Sequence, residues 1–111
     1  MNRDEENTGS PTNDICIKTY AQGHHTLVAA CDCELLGETL EDGDISFEVT
    51  AAFYDGIRGD LALLERHLQA ATTANLVGER CVDCGKRLGL IDRENVLNIG
   101  SVPHAQFVLM L

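Results

Sequence analysis

Apolar and polar positions alternate with a period of two near the start of the chain. In DICIKTYA (14–21), Ile15, Ile17 and Thr19 fall on one face and Cys16, Lys18 and Tyr20 on the other. In TLVAACDC (26–33), Leu27, Ala29, Cys31 and Cys33 share a face. Two such runs joined by Gln-Gly-His-His predict a β-hairpin. ELLGETLEDGD then reads as a turn-rich connection with one helical turn over 33–36. DISFEVT predicts a strand with Ile45, Phe47 and Val49 inward, and FYDGIRGD a loop.

The period changes at Asp60, a residue suited to capping a helix N-terminus. Leu61, Leu64, Leu68 and Ala71 form one helical stripe, and Val77, Cys81, Cys84 and Leu88 a second. Thr72, Thr73 and Asn75 lie between the stripes and predict a break, with Asn75 capping a second helix. Gly89 ends that helix, and Lys86 and Arg87 in its last turn suit the negative end of its dipole. Two further strands are expected over 94–100 and 104–111, around a Gly-Ser-Val-Pro turn. The expected architecture is α+β: about five strands in a mostly antiparallel sheet, with one long, interrupted helical segment packed on one face. It forms a single domain over 14–111, preceded by a disordered tail over 1–13 that has no apolar period.

Size and charge narrow the function classes. A chain of 111 residues is one domain by the usual size prior. A core of that size buries roughly 65% of the unfolded surface and needs no metal or disulfide for stability. The formal net charge is −10, and only two of the eight cationic residues are lysines, Lys18 and Lys86. With no basic stripe to hold phosphates, direct non-specific nucleic-acid binding is disfavoured. A protein partner is the expectation. No apolar run reaches membrane-spanning length and no targeting pattern opens the chain, so a cytoplasmic location is expected. Five cysteines in that compartment stay reduced, and an odd count suits a disulfide framework poorly.

The segment Cys81-Val-Asp-Cys-Gly-Lys resembles half of a zinc ribbon, with Cys31-Asp-Cys33 as its other half. Four thiolates from Cys31, Cys33, Cys81 and Cys84 would suit tetrahedral zinc, and Gly85 would suit a knuckle. Against this, Cys81 and Cys84 complete a helical stripe that a knuckle would interrupt, and cysteine packs as a small hydrophobe. No cofactor is therefore expected, with a zinc or thiol protein as the alternative. A redox pair at a helix N-terminus is disfavoured because a turn of helix is expected before Cys81. Gly78, Gly85 and Gly89 share one side of the helix, which would allow close approach of the sheet or of a second chain in an oligomer.

Two polar segments exceed what folding requires: Asn75-Leu-Val-Gly-Glu-Arg80 and Val102-Pro-His-Ala-Gln106. With Leu36-Gly37, they resemble an archaeal family described only as domain of unknown function 424, and the similarity covers about 14–111. The resemblance implies a small, single-domain, cytosolic α+β protein of archaeal source, brings no established activity, and suggests a role near RNA or translation. It rests on these segments and not on the C-x-x-C. From the residues themselves, Asn75 at a helix N-terminus would create an anion site that Arg80 could reach. His104 and Gln106 would add a titratable ring and an amide. Asn75, Gly78, Arg80, Pro103, His104 and Gln106 are thus the candidate ligand- or partner-binding residues.

No motif for a nucleophile elbow, a metalloprotease helix or a phosphate-binding loop occurs. His24 and His25 read as a solvated turn. A non-enzymatic binding or adaptor domain is the leading expectation, and a small-ligand enzyme at the Asn/Arg/His/Gln cluster is a further alternative.

Overall fold

A computed structural model describes residues 13–109. The tail expected over 1–13 lies outside the described residues, apart from Asn13. A six-stranded sheet runs β5-β1-β2-β6-β8-β7 and a separate two-stranded ribbon pairs β3 with β4. The elements are β1 (Ile15–Gln22), β2 (His25–Asp32), β3 (Thr39–Asp42), β4 (Ile45–Glu48), α1 (Ala51–Tyr54), β5 (Ile57–Gly59), α2 (Leu61–Gln69), β6 (Thr73–Val77), α3 (Glu79–Arg87), β7 (Leu97–Ile99) and β8 (Val102–Val108). A single turn of 3-10 helix over Cys33–Leu35 follows β2.

The α+β expectation holds, and the sheet is mostly antiparallel. Three hairpins close through a glycine with positive φ followed by one ordinary residue: Gly23-His24, Gly43-Asp44 and Gly100-Ser101. That order suits the two-residue turn whose first position alone needs a left-handed backbone. Among the described residues the one parallel pair is β2 with β6, in register from Leu27↔Thr73 to Cys31↔Val77. Thr72 stitches the start of this pair, because its hydroxyl donates to Thr26 O at 3.1 Å and accepts from Thr26 N at 2.9 Å.

Residues 72–77 correct the reading of one interrupted helical segment. Thr73–Val77 form strand β6, in the middle of the sheet, and the two helices lie on either side of it in sequence. Asn75 is therefore a strand residue, and Val77 belongs to the sheet rather than to a helical stripe. The expected loop at 53–60 contains the end of α1 and edge strand β5, and the turn-rich connection contains β3. Asp60 caps α2 as expected, accepting from Leu63 N at 2.9 Å.

Both faces of the sheet are covered. Helices α2 and α3 bury Leu64, Leu68, Cys81, Val82 and Cys84 against Ile15, Ile17, Val28, Ala30 and Leu76. On the other face the ribbon region and α1 supply Leu40, Val49 and Tyr54 to cover Cys16, Ala29, Cys31 and Val77. Phe47 and Val49 turn inward as expected, whereas Ile45 is 43% exposed.

Gly85 has a packing role. A methyl group there would lie 2.8 Å from Ile91 Cγ1 and 2.9 Å from Leu76 Cδ1, so the bare backbone lets α3 settle onto β6. The helix ends at Arg87, and Gly89 follows in the turn that leads Leu90 and Ile91 back to Gly85 O.

Candidate functional site

The parallel pair sets up the end of the sheet where chemistry concentrates. Strands β2 and β6 both finish there, β2 at Asp32 and β6 at Val77, and α3 begins after a single intervening residue. A helix N-terminus presents unpaired N–H groups and a partial positive charge. The residue before α3 is Gly78, which has no side chain to cap it.

Asp32 fills that role from the neighbouring strand. Its Oδ2 accepts from Arg80 N and its Oδ1 from Cys81 N, both at 3.1 Å. The carboxylate is 3% exposed, and two N–H donors plus the helix dipole offset its desolvation. Gly78 is required twice over. Its φ is +108°, and a methyl group there would lie 2.6 Å from Asp32 Oδ1. Its own N–H donates to Pro103 O at 2.9 Å, which fixes the start of β8 to the same corner.

Arg80 closes the corner from outside. Its Nη2 donates to Glu34 Oε1 at 2.6 Å, Nε lies 3.3 Å from Asp14 Oδ2, and Nη2 lies 4.0 Å from Asp32 Oδ2. Burial opposes the charge, but the Glu34 hydrogen bond and the Asp32, Glu34 and Asp14 carboxylates outweigh it and raise the guanidinium pKa. Asn75 does not open a helix: the N-terminus lies at Gly78, and the chain's own Asp32 takes up its N–H groups.

Two connected hollows open at this corner. The smaller, about 220 Å³, is lined by Asp32, Glu34, Gly78, Arg80 and Pro103 among others. The larger, about 580 Å³, runs along α3 past Arg80, Asp83, Lys86, Arg93, Asn98 and Pro103. Gly78, Arg80 and Pro103 of the expected set thus share one site.

Asn75 and His104 belong to the opposite face. Tyr54 Oη donates to Asn75 Oδ1 at 2.6 Å, and His104 Nε2 lies 3.3 Å from the same oxygen. Phe47 covers the imidazole with ring centroids 5.1 Å apart. Burial lowers the His104 pKa and raises that of Tyr54, whose shift the Cys31 and Cys81 thiols reinforce. Gln106, the cross-strand partner of Asn75, is exposed.

The cysteines divide between the two cores. Cys81 and Cys84 lie under the helices, whereas Cys16 and Cys31 lie on the ribbon side with Cys33 packed beside them. The four candidate zinc ligands therefore do not converge, and among the described residues no three His, Cys, Asp or Glu side chains are placed to hold a metal ion. Burial raises the thiol pKa values of Cys31, Cys33, Cys81 and Cys84.

Asp32, Glu34 and Arg93 are site residues that the sequence reading misses. Their signal is faint: an aspartate inside an otherwise apolar strand end, and a helix preceded by glycine with no capping side chain.

Fold and corner define a small α+β domain with a mixed-charge groove at the end of its one parallel strand pair. The chain belongs to the family described as protein of unknown function, DUF424, whose profile matches residues 19–110. Among solved structures it is similar to an uncharacterized conserved protein from Methanopyrus kandleri, at 19% identity and a TM-score of 0.70, over 92% of this chain and 96% of that one. That likeness is one of fold. No curated protein matches the chain. Among the described residues, no helix is long and apolar enough to cross a membrane.

Proposed function

We propose that this chain is a non-enzymatic binding or adaptor domain of the archaeal cytosol, and that its groove along α3 receives an acidic segment of a partner protein. The supporting observation is how the cations there are paired. Arg80 is held by Asp14, Asp32 and Glu34, and Arg87 by Asp83 and Glu65. Lys86 and Arg93 line the groove and make no ion pair among the described residues. Glu79 lines the same hollow and offsets one of them, so on a chain with net charge −10 the hollow of about 580 Å³ keeps one cation in excess, which favours a carboxylate.

The thiols favour binding over catalysis. A thiol is nucleophilic as its thiolate, and burial keeps Cys31, Cys81 and Cys84 protonated at neutral pH. The archaeal assignment is supported by the structural relative from an archaeon. A role near RNA or translation would run through the partner, because the acidic surface repels a phosphate backbone.

Affinity capture from an extract of the source organism tests the reading. Wild-type protein should retain a stoichiometric protein partner that the Lys86→Glu/Arg93→Glu double variant loses. Recovery of the wild type alone, or equal retention by both, would overturn it.

A further inference from the structure

The thiols of Cys16 and Cys33 approach to 2.8 Å, closer than non-bonded sulfur atoms ordinarily sit. Backbone geometry explains the approach. Cys16 lies directly opposite Cys31 in the β1–β2 ladder, and Cys33 N continues that ladder by donating to Asp14 O at 2.9 Å. The chain then turns into the 3-10 segment, which carries the Cys33 sulfur diagonally over Cys16. Cys16 is buried, and Cys33 alone among the five cysteines is partly exposed.

We propose that Cys16 and Cys33, free thiols while the cytosol is reducing, close into a disulfide under oxidising conditions by exchange with a low-molecular-weight disulfide that enters at Cys33. The Cys33 thiolate attacks one sulfur of RSSR, giving Cys33–S–S–R and RS⁻, which takes up the proton that Cys33 released. The Cys16 thiolate then attacks the Cys33 sulfur and expels the second RS⁻, which takes the Cys16 proton. Two protein thiols are oxidised by two electrons, and one RSSR is reduced to two RSH. No bulky reagent needs to reach Cys16, because its only reaction is with the neighbouring sulfur.

The surroundings set the rate. Burial, then the Cys16 contact, pushes the Cys33 thiol up to about 12, with Asp14 adding to the shift and Arg58 opposing it. Attack is therefore slow at neutral pH and accelerates about tenfold per pH unit through pH 10. An ordinary exposed cysteine would level off near pH 8.5. Once closed, the bond clips the start of β1 to the turn that carries Glu34 and Leu35 into the smaller hollow. Closing this loop should raise the melting temperature by roughly 12–24 °C.

Reduced protein is incubated with oxidised glutathione at pH 9, alkylated under denaturing conditions and mapped by peptide mass. The expected product has lost two hydrogens, contains a linked Cys16–Cys33 peptide, and carries alkyl groups on Cys31, Cys81 and Cys84. Cys16→Ala should instead trap glutathione on Cys33, a product that does not depend on full stability of the variant. A Cys16–Cys31 link, a lasting adduct on wild-type Cys33, or five alkylated thiols after native incubation would each overturn the proposal.

Discussion

Replacing Asp32 with alanine probes the corner from which the groove is built. The substitution removes two charge-assisted hydrogen bonds, to Arg80 N and Cys81 N. Cys81 is fully buried, so its N–H finds no water in exchange. Loss of a helix cap costs about 1 kcal/mol, and an orphaned buried donor about 1–3 kcal/mol. Deletion also relieves the desolvation of a buried carboxylate, which holds the sum down. The expected net loss is about 3 kcal/mol, or a fall of roughly 12–24 °C in melting temperature for a domain of this size. An asparagine side chain at this position retains one acceptor oxygen, so Asp32→Asn should lose about half as much. Urea unfolding followed by circular dichroism reads both variants. A loss below about 0.5 kcal/mol for alanine, or equal losses for the two, would refute the capping role.

Gly78→Ala should destabilise by at least about 2 kcal/mol in the same assay, because positive φ and the Asp32 carboxylate both oppose a side chain. Gly85→Ala should cost about 1–3 kcal/mol by overpacking Leu76 and Ile91, and combining it with Leu76→Ala should cost less than the sum of the two single losses. His104 sets a pH dependence. Its folded pKa is lowered from the ordinary 6.5, so the unfolded chain binds the proton more readily. This contribution is fully present above pH 6.5 and is lost as pH falls through the folded value. The urea midpoint should drop between about pH 7.5 and about pH 5.5, and less so in His104→Gln. Charge reversal at Lys86 and Arg93, both exposed, should leave stability within about 0.5 kcal/mol.

Features with local causes are legible in the sequence. The β1–β2 hairpin follows from alternation around a glycine turn, α2 from Asp60 and its leucine stripe, and the end of α3 from Lys86, Arg87 and Gly89. Strand β6 is hidden because its pairing is non-local. Its partner β2 lies far earlier in the chain, with Leu27 opposite Thr73, and its own Thr, Ala and Asn residues read as a break between two helical stripes. The ribbon strand β3 and edge strand β5 are short, and neither shows a clear period.

The site divides along the same line. The two polar segments are visible as an excess over folding needs, and Gly78, Arg80 and Pro103 do line one corner. What sequence spacing does not express is that Asp32 caps a helix through an N–H 48 residues away. Nor does it express that Asn75 and His104 face the opposite side, where Tyr54 holds Asn75 between itself and the imidazole. The cysteine stripe of α3 packs as its period implies, while the close thiol pair, Cys16 with Cys33, arises only once the hairpin and its following turn are in place.

The proposed docking requires Lys86 in the groove to meet a carboxylate of a partner protein. Zero-length carbodiimide cross-linking of the captured complex, followed by peptide mapping, addresses it directly, because that reagent joins an amine only to a carboxylate in contact with it. Lys18, the other lysine, donates to Ala52 O at 2.8 Å and serves as the internal control. The expected result is an amide bond between Lys86 Nζ and an Asp or Glu of the partner. A partner that co-purifies but links only through its own lysines to this chain's carboxylates, with Lys86 untouched, would overturn the proposed docking.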